Sequence, residues 1–225
     1  MKKVLIIIAL LIGSIGLFAQ KDRQYPYNEI FFGLGTTHYF GEIGGSKVAT
    51  KSFLNIRDFD FGQTRVSTSI GFRRVFNRNV SLSAQIAPMW ISGNDTLSIN
   101  QERGWSFNSF GCEIASIQIE YYPLPYLYVF GGLGETYRYT VAIIPEKMVI
   151  SGFSPIFLGG IGYGHRINKF NTHSIEIGLR YCLSDTLENY AGSTATNDFY
   201  YLVQYKFVHR LTFGNRFNSH GLLIR

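Results

Sequence analysis

Chemistry in this chain has to come from few side chains: five histidines, two cysteines and a modest set of charged residues. Nucleophilic catalysis needs a serine or thiol within hydrogen-bond reach of a base, and His173-Ser174 is the adjacent pair of that kind within the strand-like segments. Consecutive residues on a strand point to opposite faces, so this pair does not make a catalytic dyad if the segment is extended. His38 and His165 lie in strand-like segments without a serine and acid to complete a set, and His209 and His220 fall in the C-terminal segment. No catalytic residues are assigned. Cys112 and Cys182 have no metal-binding spacing, and no cofactor motif or small-molecule substrate is identified.

The remaining polar residues are more informative. Arg65, Arg73, Gln85, Gln118, Glu120, Glu176 and Arg180 sit inside segments that are otherwise apolar on every second position, with Glu135 a further candidate. Val80, Leu82, Ala84, Ile86 and Trp90 share one face while Ser81, Ser83, Gln85 and Ala87 share the other. Ile175, Ile177, Leu179, Tyr181 and Leu183 are opposed by Ser174, Glu176, Gly178, Arg180 and Cys182. Phe199, Tyr201, Val203, Tyr205 and Phe207 form a third apolar face, and Val66, Ile70 and Phe72 a fourth. Period-two alternation marks strands with one apolar and one polar side.

The same rule predicts eight strands, near 28–40, 64–76, 80–91, 109–121, 127–139, 155–167, 173–183 and 198–208. Each approaches the ~9–11 residues of a tilted strand that crosses a bilayer. The segments joining them alternate in length. Those at 41–63, 92–108, 140–154 and 184–197 are long and polar; those at 77–79, 122–126 and 168–172 are tight. Outer-membrane barrels pair short periplasmic turns with long outer loops, which puts both termini in the periplasm. The fold class expected is all-β, an eight-stranded antiparallel transmembrane barrel of the outer-membrane type. A soluble sandwich also alternates, but it must bury a face such as Phe199–Phe207 against a second sheet.

The N-terminus supports export. Lys2 and Lys3 precede an apolar run from Val4 to Phe18, with Ala19 a processing position. That is the pattern of a cleavable leader, and the run falls short of the roughly 20 residues of a spanning helix. The expected organisation is a leader over 1–19, a barrel over 20–208 and a periplasmic extension over 209–225. Aromatic residues make up 16% and charged residues only 16%, against about 25% charged in an average soluble domain. The formal net charge is +6, two of it carried by the leader. With no Lys/Arg cluster of the kind nucleic acid requires, this suits outer-membrane lipids. Export permits a disulfide between Cys112 and Cys182, with two free buried thiols as the alternative.

An eight-stranded interior is just wide enough for side chains to fill it. Arg65, Arg73, Gln118, Glu120, Glu176 and Arg180 therefore read as a structural polar cluster that plugs the lumen, the other reading being a gated or proton-conducting pore. Arg210, Arg216 and Arg225 leave the C-terminal segment basic and free of acids: either a solvated extension or a periplasmic contact surface.

Three stretches resemble the PorG-like family of small outer-membrane barrels associated with type IX secretion. One is Tyr39-Phe40-Gly41-Glu42 at the end of the first strand. The second runs from Arg103–Phe107 through Glu113 and Glu120-Tyr121-Tyr122-Pro123 to Tyr126–Gly134, with Tyr128-Val129-Phe130-Gly131-Gly132 at its centre. The third is Gly178-Leu179-Arg180-Tyr181 followed by Ser184-Asp185-Thr186-Leu187-Glu188-Asn189; it departs from the family pattern at Thr186 and Asn189, where tyrosine and an acid are expected. The resemblance implies a non-enzymatic component that contacts periplasmic secretion-ring proteins. A stand-alone surface barrel with a membrane-stability or adhesion role is the alternative, and a lipid-modifying enzyme a third.

Overall fold

The computed structural model describes residues 25–40, 61–94, 106–142, 148–183 and 199–211. The leader, Arg216 and Arg225 lie outside these. The chain forms eight strands: β1 (Tyr27–Phe40), β2 (Arg65–Val75), β3 (Val80–Asn94), β4 (Ser106–Tyr121), β5 (Leu127–Ala142), β6 (Met148–Arg166), β7 (Asn171–Cys182) and β8 (Phe199–Leu211), with a 3-10 turn at Phe61–Gln63. Each pairs antiparallel with its neighbour and β8 returns to β1, closing the barrel. Closure leaves no lateral sheet edge to satisfy, the condition for a sheet in hydrocarbon. No helix among the described residues is long and apolar enough to cross a membrane, which says nothing of a β-barrel, since barrels cross with strands.

The apolar faces point outward. Ile70 and Ile119 are each 61% exposed, among a belt that includes Phe32, Leu34, Ile86, Leu133, Ile161 and Ile177. A soluble sandwich would bury these residues. Aromatic pairs rim the belt. Tyr126 and Tyr163 lie 5.7 Å apart at the end with the short turns. Trp90 and Phe110 lie 5.3 Å apart, and Tyr137 and Phe153 5.1 Å apart, toward the other end.

The alternation is interrupted once in β4. Ala87 pairs with Glu113 but Gln85 pairs with Ser116, and Ile114 pairs with Glu135 while Ile117 pairs with Leu133. One extra residue therefore sits in β4, a bulge at Ile114–Ala115, and Ala115 has φ 52°. Both of these residues face outward, so the inward set changes from Phe107, Ser109, Gly111 and Glu113 to Ser116, Gln118 and Glu120. Inward glycines make room for large rings: a Cβ on Gly162 would meet the Tyr128 ring, and one on Gly71 the Phe31 ring.

Two expectations change. The segment 140–154, read as a long loop, is largely strand: pairing runs from Glu135↔Pro155 up to Ala142↔Met148. Thr140, Val141, Val149 and Ile150 are β-branched and favour that extension. At the other end β8 continues to Leu211, so His209 and Arg210 belong to the barrel wall.

Candidate functional site

Inward side chains of seven strands, β1 to β5 with β7 and β8, meet in one buried network. Arg73 from β2 is its hub, with its guanidinium 2.8 Å from Glu120, 3.3 Å from Glu29 and 3.6 Å from Glu176. Glu176 also accepts from Lys206 Nζ at 2.5 Å and from the Tyr128 hydroxyl at 2.5 Å. Glu120 is held from below by Ser81, Ser83 and Tyr122, at 2.7, 2.8 and 2.7 Å. Tyr122 sits in the turn after β4, where burial pushes its hydroxyl well above the ordinary phenol range and keeps it a donor.

A second group sits toward the long-connection end. Glu113 receives Arg180 Nε at 2.9 Å, the Tyr200 hydroxyl at 3.0 Å, Ser116 at 3.1 Å and Gln85 at 3.2 Å. Gln85 joins the two groups, because its carbonyl oxygen accepts from Lys206 Nζ at 3.0 Å while its amide donates to Glu113. Rings complete the packing: Phe31 lies under Lys206 at 4.5 Å, and Phe130 under Arg180 at 5.9 Å. Beyond Glu113 an apolar cluster of Tyr39, Met89, Ile91, Phe107 and Ile156 packs beside buried Ser109, Arg138, Thr140 and Ser154.

Of the residues expected in the lumen, Arg73, Glu120, Glu176 and Arg180 meet directly in this network. Gln118 is buried beside it at 1% exposure. Arg65 stands apart at the mouth, where its Nη1 donates to the carbonyls of Gly62 and Thr64. Glu135 is on the outer face of β5, with the lipid-facing residues. Glu29, Glu113, Lys206, Tyr128 and Tyr200 are network members that strand patterning did not single out.

Cys112 and Cys182 do not bridge; both are free. Cys112 lies on the outward face of β4, whereas Cys182 is fully buried on the inward face of β7. His173 and Ser174 also separate as their parity requires. His173 packs outward against Tyr205 and Phe207 at 5.2 and 5.4 Å, and Ser174 is buried inside. Arg210 lies over the Tyr27 ring at 4.1 Å, at the short-turn end. Among the described residues no cluster of His, Cys, Asp or Glu could hold a metal ion.

This architecture recurs among solved outer-membrane proteins. The chain superposes on the attachment invasion locus protein Ail of Yersinia pestis, solved with the heparin analogue sucrose octasulfate. The TM-score is 0.50 at 9% identity, over 84% of this chain and 100% of Ail. Neisserial surface protein A matches with a TM-score of 0.44 at 7% identity, over 84% of this chain and 100% of its own. OprG of Pseudomonas aeruginosa matches with 0.42 at 11%, over 82% and 96%. The chain is an eight-stranded barrel of the outer-membrane type. No protein-family profile and no curated sequence matches it, so the resemblance to PorG-like barrels rests on its motifs.

Proposed function

We propose that the protein is a non-enzymatic, non-conducting outer-membrane barrel that acts through its rims, docking periplasmic partners at its short-turn end. The observation that carries this reading is the lumen. Arg180, Tyr128, Tyr200, Lys206, Gln204 and Glu113 are each less than 2% exposed and lie across the interior. Charges that neutralise one another inside a packed cross-section leave no continuous polar path for a solute. Function then falls to the two ends.

The short turns and the first and last strand ends share one rim, which the general asymmetry of outer-membrane barrels assigns to the periplasm. That rim carries Arg74, Arg78, Arg166, Lys169 and Arg210; the acid at this end among the described residues, Glu29, lies opposite Arg210 and is buried against Arg73. A predominantly basic ring of this kind favours an anionic partner. The PorG-like motifs point to the periplasmic ring of a type IX-like secretion apparatus, for which Arg216 and Arg225 are further candidate contacts. The leader over 1–19 is removed on export in this reading.

Two measurements test it. Reconstituted into planar bilayers, the protein is expected to be electrically silent; steady single-channel conductance would overturn the plugged lumen. A photo-activated cross-linker at position 78 or 169, used in intact cells, is expected to capture periplasmic proteins. Capture of none from either position sinks the docking role in favour of a stand-alone surface barrel.

A further inference from the structure

The hairpin of β3 and β4 marks where the hydrocarbon ends. Going up its outward face, β3 presents Leu82, Ala84, Ile86, Pro88 and Trp90, then Ser92, buried beneath the 3-10 turn, and Asn94. Its partner β4 presents Ile119, Ile117, Ile114, Cys112 and Phe110, then Asn108 and Ser106. Both strands turn from apolar to polar above the paired rings of Trp90 and Phe110, and Ser92 pairs with Asn108 and Asn94 with Ser106. At about 3.3 Å per residue, these two polar pairs lie roughly 7 and 13 Å further along the strands than the rings. That is the depth of headgroups, directly above the acyl-chain region.

A cleft opens at this level. It has a volume of about 290 Å³ and is lined by Gly62, Gln63, Arg65, Asn94, Ser106 and Asn108, with Phe107 and buried Ser92 behind them. Its floor is held in place: Ser92 donates to the side chain of Gln63 at 3.3 Å, tying the 3-10 turn to β3. Arg65 is positioned by its Nη1, bonded to the carbonyls of Gly62 at 3.0 Å and Thr64 at 3.2 Å. Its Nε and Nη2 make no bond among the described residues, and neither does the Asn108 amide. No acid among the described residues lines the cleft.

We infer that this cleft binds the phosphorylated sugar headgroup of an outer-leaflet glycolipid. The free edge of the Arg65 guanidinium meets a phosphate, for which its planar donor geometry is suited. Asn108 and Ser106 meet sugar hydroxyls, and the acyl chains run down past Trp90 and Phe110. An anionic sugar in solution shares the headgroup chemistry but makes no use of the apolar wall below the cleft. The inference takes from the proposed function only the orientation of the barrel, and binding in detergent does not depend on that orientation.

The full-length protein, purified in detergent, is titrated by native mass spectrometry with three probes: a bis-phosphorylated glucosamine-disaccharide lipid, phosphatidylglycerol, and glucosamine 1-phosphate. The glycolipid is expected to bind at least tenfold more tightly than either of the others. Arg65→Ala is expected to weaken it at least tenfold, and Asn108→Ala several-fold. Ile161→Ala, on the lipid face of β6, is expected to leave it unchanged. Folding of each variant is checked by the mobility difference between heated and unheated samples in SDS gels. Equal retention of glycolipid and phosphatidylglycerol by the wild type overturns the inference. So does unchanged glycolipid affinity in folded Arg65→Ala, or, if that variant does not fold, in Asn108→Ala. Equal affinity for glucosamine 1-phosphate overturns the assignment to a membrane lipid.

Discussion

Replacing Glu113 with alanine removes the acceptor of four donors at once, from Arg180, Tyr200, Ser116 and Gln85. It leaves Arg180, only 1% exposed, without its countercharge. Breaking a buried ion pair by deleting one partner costs about 3–5 kcal/mol. Three neutral donors lose the same acceptor, so the cost belongs near the top of that range, about 4–5 kcal/mol. Removing both charges, as Glu113→Leu with Arg180→Met, is a different perturbation. The surroundings, with Phe130, Leu158, Ile156 and Tyr200, are already apolar or aromatic. Replacing a buried pair by apolar residues of similar volume is often neutral or stabilising, but Tyr200, Ser116 and Gln85 still lose their acceptor, so the double variant is expected to recover about 2 kcal/mol of the loss rather than all of it. The assay is equilibrium urea unfolding from lipid vesicles, followed by tryptophan fluorescence, with coincident unfolding and refolding curves required. A loss below about 1 kcal/mol in Glu113→Ala would mean the pair behaves like an exposed surface bridge. The lumen would then be wet, and the plug argument would fail with it.

Other consequences are smaller and local. Gly162→Ala drives a Cβ into the Tyr128 ring, which donates to Glu176; overpacking of this kind costs about 1–3 kcal/mol, read from the same unfolding curves. Ala115 holds φ 52° in the β4 bulge, so Ala115→Gly should raise stability by about 1 kcal/mol, whereas Ala115→Val should lower it; equal midpoints for all three would count against a left-handed backbone there. Cys112 is on the outer face and Cys182 is buried inside, so a membrane-permeant maleimide should label Cys112 in the folded barrel and Cys182 only after unfolding. Reductant should leave gel mobility unchanged; a reductant-sensitive intramolecular species would place the two sulfurs together.

Most of the barrel was legible because period-two alternation and loop parity constrain the same strands independently. Glu176 and Arg180 shared a face with Ser174 and Cys182, and β7 keeps that face inward. The network itself was only half legible, for three physical reasons. Glu113 and Glu120 are seven residues apart, so unbroken alternation sends one in and the other out. The bulge at Ile114–Ala115 brings both inside, and the mark of it in the sequence is the slip from Ile114 to Ile117 and Ile119. Tyr128 and Tyr200 were hidden by type, since aromatic residues in a barrel are expected at the lipid interface; only the apolar neighbours Val129 and Tyr201 show which face is which. Arg65 had the correct parity, but parity says nothing about height. Standing at the very end of β2, it reaches the mouth rather than Glu120 or Glu176.

Charge segregation links the interior to the rims. Among the described residues, Glu29, Glu113, Glu120 and Glu176 are all inside the barrel, together with Arg73, Arg138, Arg180 and Lys206. Glu135 is the exception, facing outward from β5. With the acids drawn into the lumen, Glu29 among them, the exposed charge at the short-turn end is predominantly basic, from Arg74, Arg78, Arg166, Lys169 and Arg210. A barrel that served only to fill membrane would need no such bias. Exposed charges are screened over about 10 Å at 0.1 M salt, so a ring this narrow acts as one basic patch on whatever approaches within that distance. In the proposed function the plug and the patch come from the same distribution of charge: the acids that fill the lumen are those whose withdrawal leaves the rim predominantly basic. Capture from position 78 should accordingly fall as salt rises, whereas electrical silence should not change with it.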